Sequence, residues 1–228
     1  MNSSLLSLLQ LSDPALPIGG FSHSAGLETY VQNGIVHDHI TAKEFITEML
    51  TRNIQFTDAT FVSLAYDAAQ INNAGSIQSL DEECTAVKLP KELRQASQKM
   101  GMRLIKIFQS ICFSTEGEKY LRLIQQKEAN GHYCIAFGVY AQAMGIPKED
   151  ALFGFYYNAA AGFVTNCVKL IPIGQQQGQE LLFSLQDIIT GVVKNTIVPD
   201  RSMIGVCCAG FDIRSMQHEQ LYSRLYMS

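Results

Sequence analysis

Residues 151–168 carry no formal charge, and a chain containing such a stretch has few ways to fold. It reaches the lower limit for a membrane-spanning helix, roughly 17–25 residues. The alternative is a helix at the centre of a bundle, apolar nearly all round. Asn158, Thr165 and Asn166 interrupt the run, and it is rich in Ala and Gly rather than Leu and Ile. These features favour the buried helix over a membrane span. Gly145 followed by Ile146-Pro147 marks a stop and a new start. The pattern therefore predicts one long helix from Pro147 to Leu170, with Ala159-Ala160-Ala161-Gly162 allowing a neighbour to approach closely.

Helix signals recur elsewhere, and convincing strand signals are scarce. Thr41-Ala42-Lys43-Glu44 and Thr115-Glu116-Gly117-Glu118 read as capping boxes, each followed by apolar residues at helical spacing. Pro90 suits a first helical turn, and Leu93, Met100, Leu104, Ile107 and Ile111 continue a stripe. Residues 179–194 are amphipathic. Asn33-Gly34, residues 72–76, Asn130-Gly131, residues 171–174 and Val198-Pro199-Asp200 read as turns or loops. Residues 203–208 have strand composition but no partner strand, so a helix or buried loop is expected. With no repeat or long linker, residues 1–228 are expected to form a single all-α domain, a bundle of roughly ten helices. Hydrophobic residues make up 47% and charged residues 17%, enough for a core with some left for an interface.

Net charge is −4 and no Lys/Arg run exists, which argues against nucleic acid as a partner. The six cysteines show no C-x-x-C spacing. Cys112, Cys134, Cys167 and Cys207 lie alone in apolar or helical surroundings, as reduced core residues of a cytoplasmic protein would. The N-terminus lacks the basic region of a signal peptide. Candidate chemistry is thin. His23 sits between Ser22 and Ser24, but chain neighbours do not face each other as nucleophile and base must. His37-Asp38-His39 names no third metal ligand, and Cys207-Cys208 and His132-x-Cys134 are poor pairs. A small metal-dependent enzyme built on His23, His132 and His218 is the alternative to a non-enzymatic scaffold with no cofactor and no metal site of its own.

Both ends are distinctive. Residues 11–28 hold Pro14, Pro17 and Gly19-Gly20 ahead of a helix near Ser24, which forces a turned path. No Lys follows the glycines, so the phosphate-binding pattern is absent. The last twelve residues carry two tyrosines, two leucines, a methionine and an arginine, unlike an ordinary frayed end. Tyr and Arg are enriched at binding hot spots. A helix here would put Leu221 with Leu225, and Tyr222 with Tyr226, on common faces.

The segment Leu9-Gln10-Leu11-Ser12-Asp13 through Pro17-Ile18-Gly19 and Phe21-Ser22-His23-Ser24 to Gly26-Leu27-Glu28 resembles the UreF family of urease accessory proteins. Gln217-His218-Glu219 with Leu221-Tyr222-Ser223-Arg224-Leu225-Tyr226 resembles that family's tail, and Asn166-Cys167-Val168-Lys169 with Pro172 its middle. Pro14 departs from the small hydroxyl residue often found there. The resemblance implies an all-α protein that dimerises, binds a UreD-type accessory protein (UreH in some bacteria), and through it recruits the GTPase UreG to deliver nickel to apo-urease. It implies docking of the UreD-type partner by the N-terminal segment, at Pro17, Gly19, Phe21, His23 and Glu28. It implies the same for the tail at 211–228, at Tyr222, Arg224, Leu225 and Tyr226. Five scattered histidines, with no His-rich tract, predict that nickel is not held tightly by this chain itself. Arg201, Arg214 and Arg224 are candidates for stimulating GTP hydrolysis by charge alone.

Overall fold

The computed structural model describes residues 3–206 and 208–227. In chain order these form α1 (Ser3–Leu11), a 3₁₀ turn at Gly20–Ser22, α2 (Leu27–Gln32), α3 (His39–Glu48) and a wider π turn at Met49–Ile54. Then come α4 (Asp58–Gln70), α5 (Ala74–Val87), α6 (Lys91–Phe108), α7 (Thr115–Gln125), α8 (Tyr133–Ala143) and α9 (Lys148–Leu170). The chain closes with α10 (Gln175–Ser184), α11 (Gln186–Thr196), α12 (Ala209–Gln217) and 3₁₀ turns at Arg201–Met203 and His218–Gln220. Among the described residues there is no strand, and no helix is long and apolar enough to cross a membrane. The all-α expectation holds.

Helix starts follow the expected chemistry at shifted positions. Asp38, not Thr41, caps α3: its Oδ1 accepts from the Thr41 N–H at 2.9 Å, and the Thr41 hydroxyl accepts from the Asp38 N–H at 3.1 Å. The box is real, but it opens three residues earlier because an Asp stands there. Ser114, not Thr115, caps α7 by accepting from Gly117 N–H at 2.9 Å. The amphipathic stretch at 179–194 is split at the fully buried Leu185 into α10 and α11. Residues 203–206 form a turn, with Gly205 at φ +71° donating to the Phe56 carbonyl. Cys207 lies outside the described residues.

The centre is shared by α8 and α9 rather than held by α9 alone. Every residue of α8 from Cys134 to Ala141 is buried. One close approach is at Gly138, where a Cβ would stand 2.4 Å from the Val62 carbonyl of α4. Gly101 of α6 crosses the start of α8 more closely still, where a Cβ would stand 2.1 Å from the Gly131 carbonyl. The expected close approach at Ala159–Gly162 is not made: Ala160 is buried, but Gly162 faces open space. It lines a crevice of about 280 Å³ that runs under the N-terminal segment.

Candidate functional site

The N-terminal segment between α1 and α2 has little helix of its own, so its backbone must find partners elsewhere. The polar interruptions of α9 supply them. Asn158 Nδ2 donates to the Ser12 carbonyl at 2.9 Å, and Asn166 Nδ2 donates to the His23 carbonyl at 3.0 Å. From α6, Arg103 Nη1 donates to the Ile18 carbonyl at 3.1 Å. Gly19 is left-handed (φ +89°), and a side chain there would collide with that guanidinium. Gly26 (φ +82°) is likewise crossed by Ser215 and Phe211 of α12, though less closely. Burial, with the Lys99 and Arg103 charges, holds the His23 imidazole below its ordinary value, so it stays neutral at pH 7.

The tail closes over this segment, and it is not a helix past Gln220. From Leu221 its backbone is irregular, so Leu221/Leu225 and Tyr222/Tyr226 do not share helical faces. Its donors are taken by other groups. The buried Glu28 carboxylate accepts from Leu225 N–H at 2.7 Å and Tyr226 N–H at 3.2 Å. Met227 N–H donates to the Ser22 carbonyl, and Gln32 Nε2 to the Ser223 carbonyl. His218, 1% exposed, lies with Nε2 3.1 Å from Glu28 and Nδ1 2.7 Å from Glu92. Arg224 Nη1 donates to the other Glu92 oxygen at 2.8 Å. Two carboxylates, an imidazole and a guanidinium thus join α2, α6 and the tail.

The residues singled out at the two ends therefore come together, sorted into two roles. Glu28 and Tyr226 face inward, the Tyr226 ring lying 6.0 Å from the Lys169 ammonium and its hydroxyl buried with no hydrogen-bond partner among the described residues. Phe21, Tyr222 and Leu225 face solvent, with Phe21 71% and Leu225 65% exposed and Tyr222 fully so. Pro17 is exposed and Gly19 buried beside Arg103. Sequence reasoning missed Glu92, Arg103, Asn158 and Asn166 as the holders of this site. Asn158 and Asn166 stand eight apart (166 − 158) in a helix, hence near one face, and that spacing was the available signal.

The other candidates go elsewhere. His37 Nδ1 meets the Gly34 carbonyl, Asp38 is a cap, and His39 is exposed. His132 is buried between Thr85 and Ser97. Among the described residues no three His, Cys, Asp or Glu side chains converge as a metal ion would require. Arg214 lies over the Tyr30 ring, and Arg201 pairs with Glu83 on an exposed turn.

The crevice beneath the N-terminal segment is floored by an ion pair, Lys88 Nζ to Asp58 Oδ2 at 2.7 Å. Burial alone would raise the Asp58 carboxyl, but the Lys88 ammonium holds it below its usual value; burial would lower Lys88, and Asp58 raises it. A depressed carboxyl stabilises the fold above its unfolded pKa of about 4 and loses that contribution as pH falls through the folded value. A raised amine contributes below its unfolded pKa of about 10 and loses it as pH rises past the folded value. The pair should therefore stabilise between about pH 4 and 10. Asp58→Asn should cost about 3 kcal/mol at pH 7 by leaving a buried ammonium unpaired. In urea titrations the difference from the parent should shrink at pH 3.

The UreF family model matches residues 36–186. The chain is 44% identical over 222 residues to the urease accessory protein UreF of Actinobacillus pleuropneumoniae serotype 3 (strain JL03), covering 97% of this chain and 98% of that one. It is 44% identical over 222 residues to the UreF of Haemophilus influenzae (strain PittEE), covering 97% and 94%. To the UreF of Arthrobacter sp. (strain FB24) it is 34% identical over 225 residues, covering 98% and 96%. The family model stops short of both ends, whereas these full-length matches span nearly the whole chain and so reach toward the docked tail.

Proposed function

The chain belongs to the UreF family of urease accessory proteins, and we propose that within urease maturation it is a scaffold acting by binding rather than by catalysis. It docks a UreD-type (UreH) accessory protein, recruits the GTPase UreG through that complex, and so serves nickel delivery to apo-urease in the cytoplasm. Nickel is cargo in this reading, carried chiefly by the GTPase. Binding one nucleotide state of the GTPase better than the other would tie its cycle to nickel release, a coupling of roughly 1–3 kcal/mol. The observation that supports it best is the meeting of Glu28 with Leu225 and Tyr226, 197 and 198 positions apart in the chain. It sets Phe21, Tyr222 and Leu225 in solvent, where a partner can reach them. We also read the chain as a homodimer, a reading supported by the exposed Leu5, Leu6 and Leu9 of α1.

The test is capture of a co-expressed UreD-type partner. Removal of residues 221–228, which spares the buried His218, should abolish capture and urease activation together. Arg224→Ala should weaken capture roughly thirtyfold, the equivalent of about 2 kcal/mol, with helical content and Tm nearly unchanged. Light scattering on the free chain should give twice the monomer mass. A truncated chain that folds and still captures its partner would remove the tail from the docking surface.

A further inference from the structure

Two cysteines that no part of the docking surface uses meet inside the bundle. Cys84 lies in the last turn of α5 and Cys134 in the first turn of α8, both fully buried, with sulfurs 3.6 Å apart. Thiolates are favoured near helix N-termini and cations. Here Cys134 occupies the opening turn of α8, and the neighbouring His132 and the Lys88 charge act on Cys84. Burial alone would raise the Cys84 thiol, but the hydrogen bond with Cys134, then His132 and the Lys88 charge, bring it below its ordinary value, while burial and the adjacent Cys84 push Cys134 well up. Of the two sulfurs, Cys84 is the one favoured to ionise. Cys167 differs: it is buried, and burial pushes its thiol up to about 12. The crevice of about 280 Å³ passes Lys88, whose charge acts on Cys84, and Tyr133, the chain neighbour of Cys134, and gives a small molecule a way toward the pair.

We propose that Cys84 and Cys134 are a reversible oxidation site, closed by a small peroxide into a disulfide that staples α5 to α8. The Cys84 thiolate attacks one peroxide oxygen. The O–O bond breaks, hydroxide leaves, and Cys84 becomes a sulfenic acid. The Cys134 sulfur then attacks the Cys84 sulfur, its proton leaves with the hydroxyl as water, and the S–S bond forms. The hydroxide takes from solvent the proton that Cys84 gave up on ionising, so overall two thiols are oxidised and one peroxide is reduced to two waters. Because both sulfurs are covered, a small neutral oxidant is admitted and a bulky disulfide such as oxidised glutathione is not. A dithiol such as dithiothreitol restores the pair once the chain opens. The staple joins α5 to the start of α8, the junction beside the crevice and beneath the N-terminal segment.

The experiment treats the reduced full-length chain with a few equivalents of hydrogen peroxide. Remaining thiols are then blocked under denaturing conditions, and cysteine peptides are mapped by mass. The expected product is a Cys84–Cys134 cross-linked peptide, reversed by dithiothreitol. Oxidised glutathione should form it at least tenfold more slowly. Closure should raise Tm by roughly 5 °C, and Cys84→Ala should abolish both the cross-link and the rise. Should that variant fail to fold, the mapping on the unaltered chain still decides. Recovery of Cys84 and Cys134 as blocked thiols while Cys112 or Cys208 has oxidised would overturn the proposal. So would a cross-link to any other cysteine, or Cys84 sulfinic acid with Cys134 intact. An equal rate with oxidised glutathione would also count against it, since it would place the reaction in an opened chain.

Discussion

Asp81→Ala is expected to cost about 5 kcal/mol, a large fraction of the roughly 5–15 kcal/mol that holds a domain of ordinary stability. Asp81 is fully buried on α5 and makes no ion pair among the described residues; donors surround it instead. Its Oδ1 accepts from the Tyr120 hydroxyl of α7, the Gly131 N–H at 3.0 Å and the His132 N–H at 3.1 Å. Its Oδ2 accepts from the backbone N–H and side-chain Nδ2 of Asn130. One carboxylate thus ties α5 to α7 and to the turn that starts α8. Gly131 can follow that turn because it has no side chain to oppose φ +82°. Each bond to a charged acceptor is worth roughly 1.5–3 kcal/mol, and the contributions do not simply add. Deleting the acceptor strands donors that have no water to turn to, a loss well above a typical substitution. Asp81→Asn should cost less, about 3 kcal/mol, because its amide group faces donors on one side. Urea titration of the Asn variant is the practical measurement, since the Ala variant should express largely unfolded. A loss under about 1 kcal/mol for both would mean the turn holds itself without the carboxylate.

How much of this could be read in advance depended on how far apart the interacting residues stand. The long helix α9 was legible because an uncharged run of that length has few homes, and its bounds at Lys148–Leu170 match the expected Pro147–Leu170 within a residue. Cap positions slipped by one to three residues because Asp38 and Thr41, or Ser114 and Thr115, offer the same chemistry to neighbouring N–H groups. The i, i+4 pairs of the tail are real in the sequence and would share faces in a helix, but the backbone past Gln220 forms none. What overrides that local pattern is a carboxylate nearly the whole chain away, and periodicity carries no trace of it. Asp81 and the Cys84–Cys134 pair were invisible for the same reason, their partners lying 39 to 51 positions off. The two ends were recognisable as unusual through composition and family resemblance. Their meeting, and its dependence on Glu92, Asn158 and Asn166, is a product of packing.

Glu28→Ala should act on the tail where Asp81→Ala acts on the fold, although Glu28 is also buried and multiply bonded. The difference lies in where the donors can go. The N–H groups that Asp81 holds are enclosed by the core, while those of Leu225 and Tyr226 belong to a chain end that can lift into water. Losing Glu28 therefore releases residues 221–227 instead of stranding them. The segment opens without global unfolding, as weakly held elements do. Two backbone bonds to a charged acceptor are together worth about 3 kcal/mol, which is roughly a 150-fold shift in the open fraction. Chymotrypsin cleavage after Tyr226, buried while the tail is docked, should accelerate by about that factor when opening is fast relative to cleavage. Cleavage after Tyr222, already fully exposed, should change much less. Tm should fall by only a few degrees. Glu28→Gln keeps one acceptor oxygen but loses the charge, and should lie between the two. If the docked tail is the surface that the UreD-type partner meets, capture should weaken in the same order, Ala more than Gln. Capture unchanged while Tyr226 becomes freely cleavable would mean that the partner takes the tail in its released form, and that Glu28 guards the tail without presenting it.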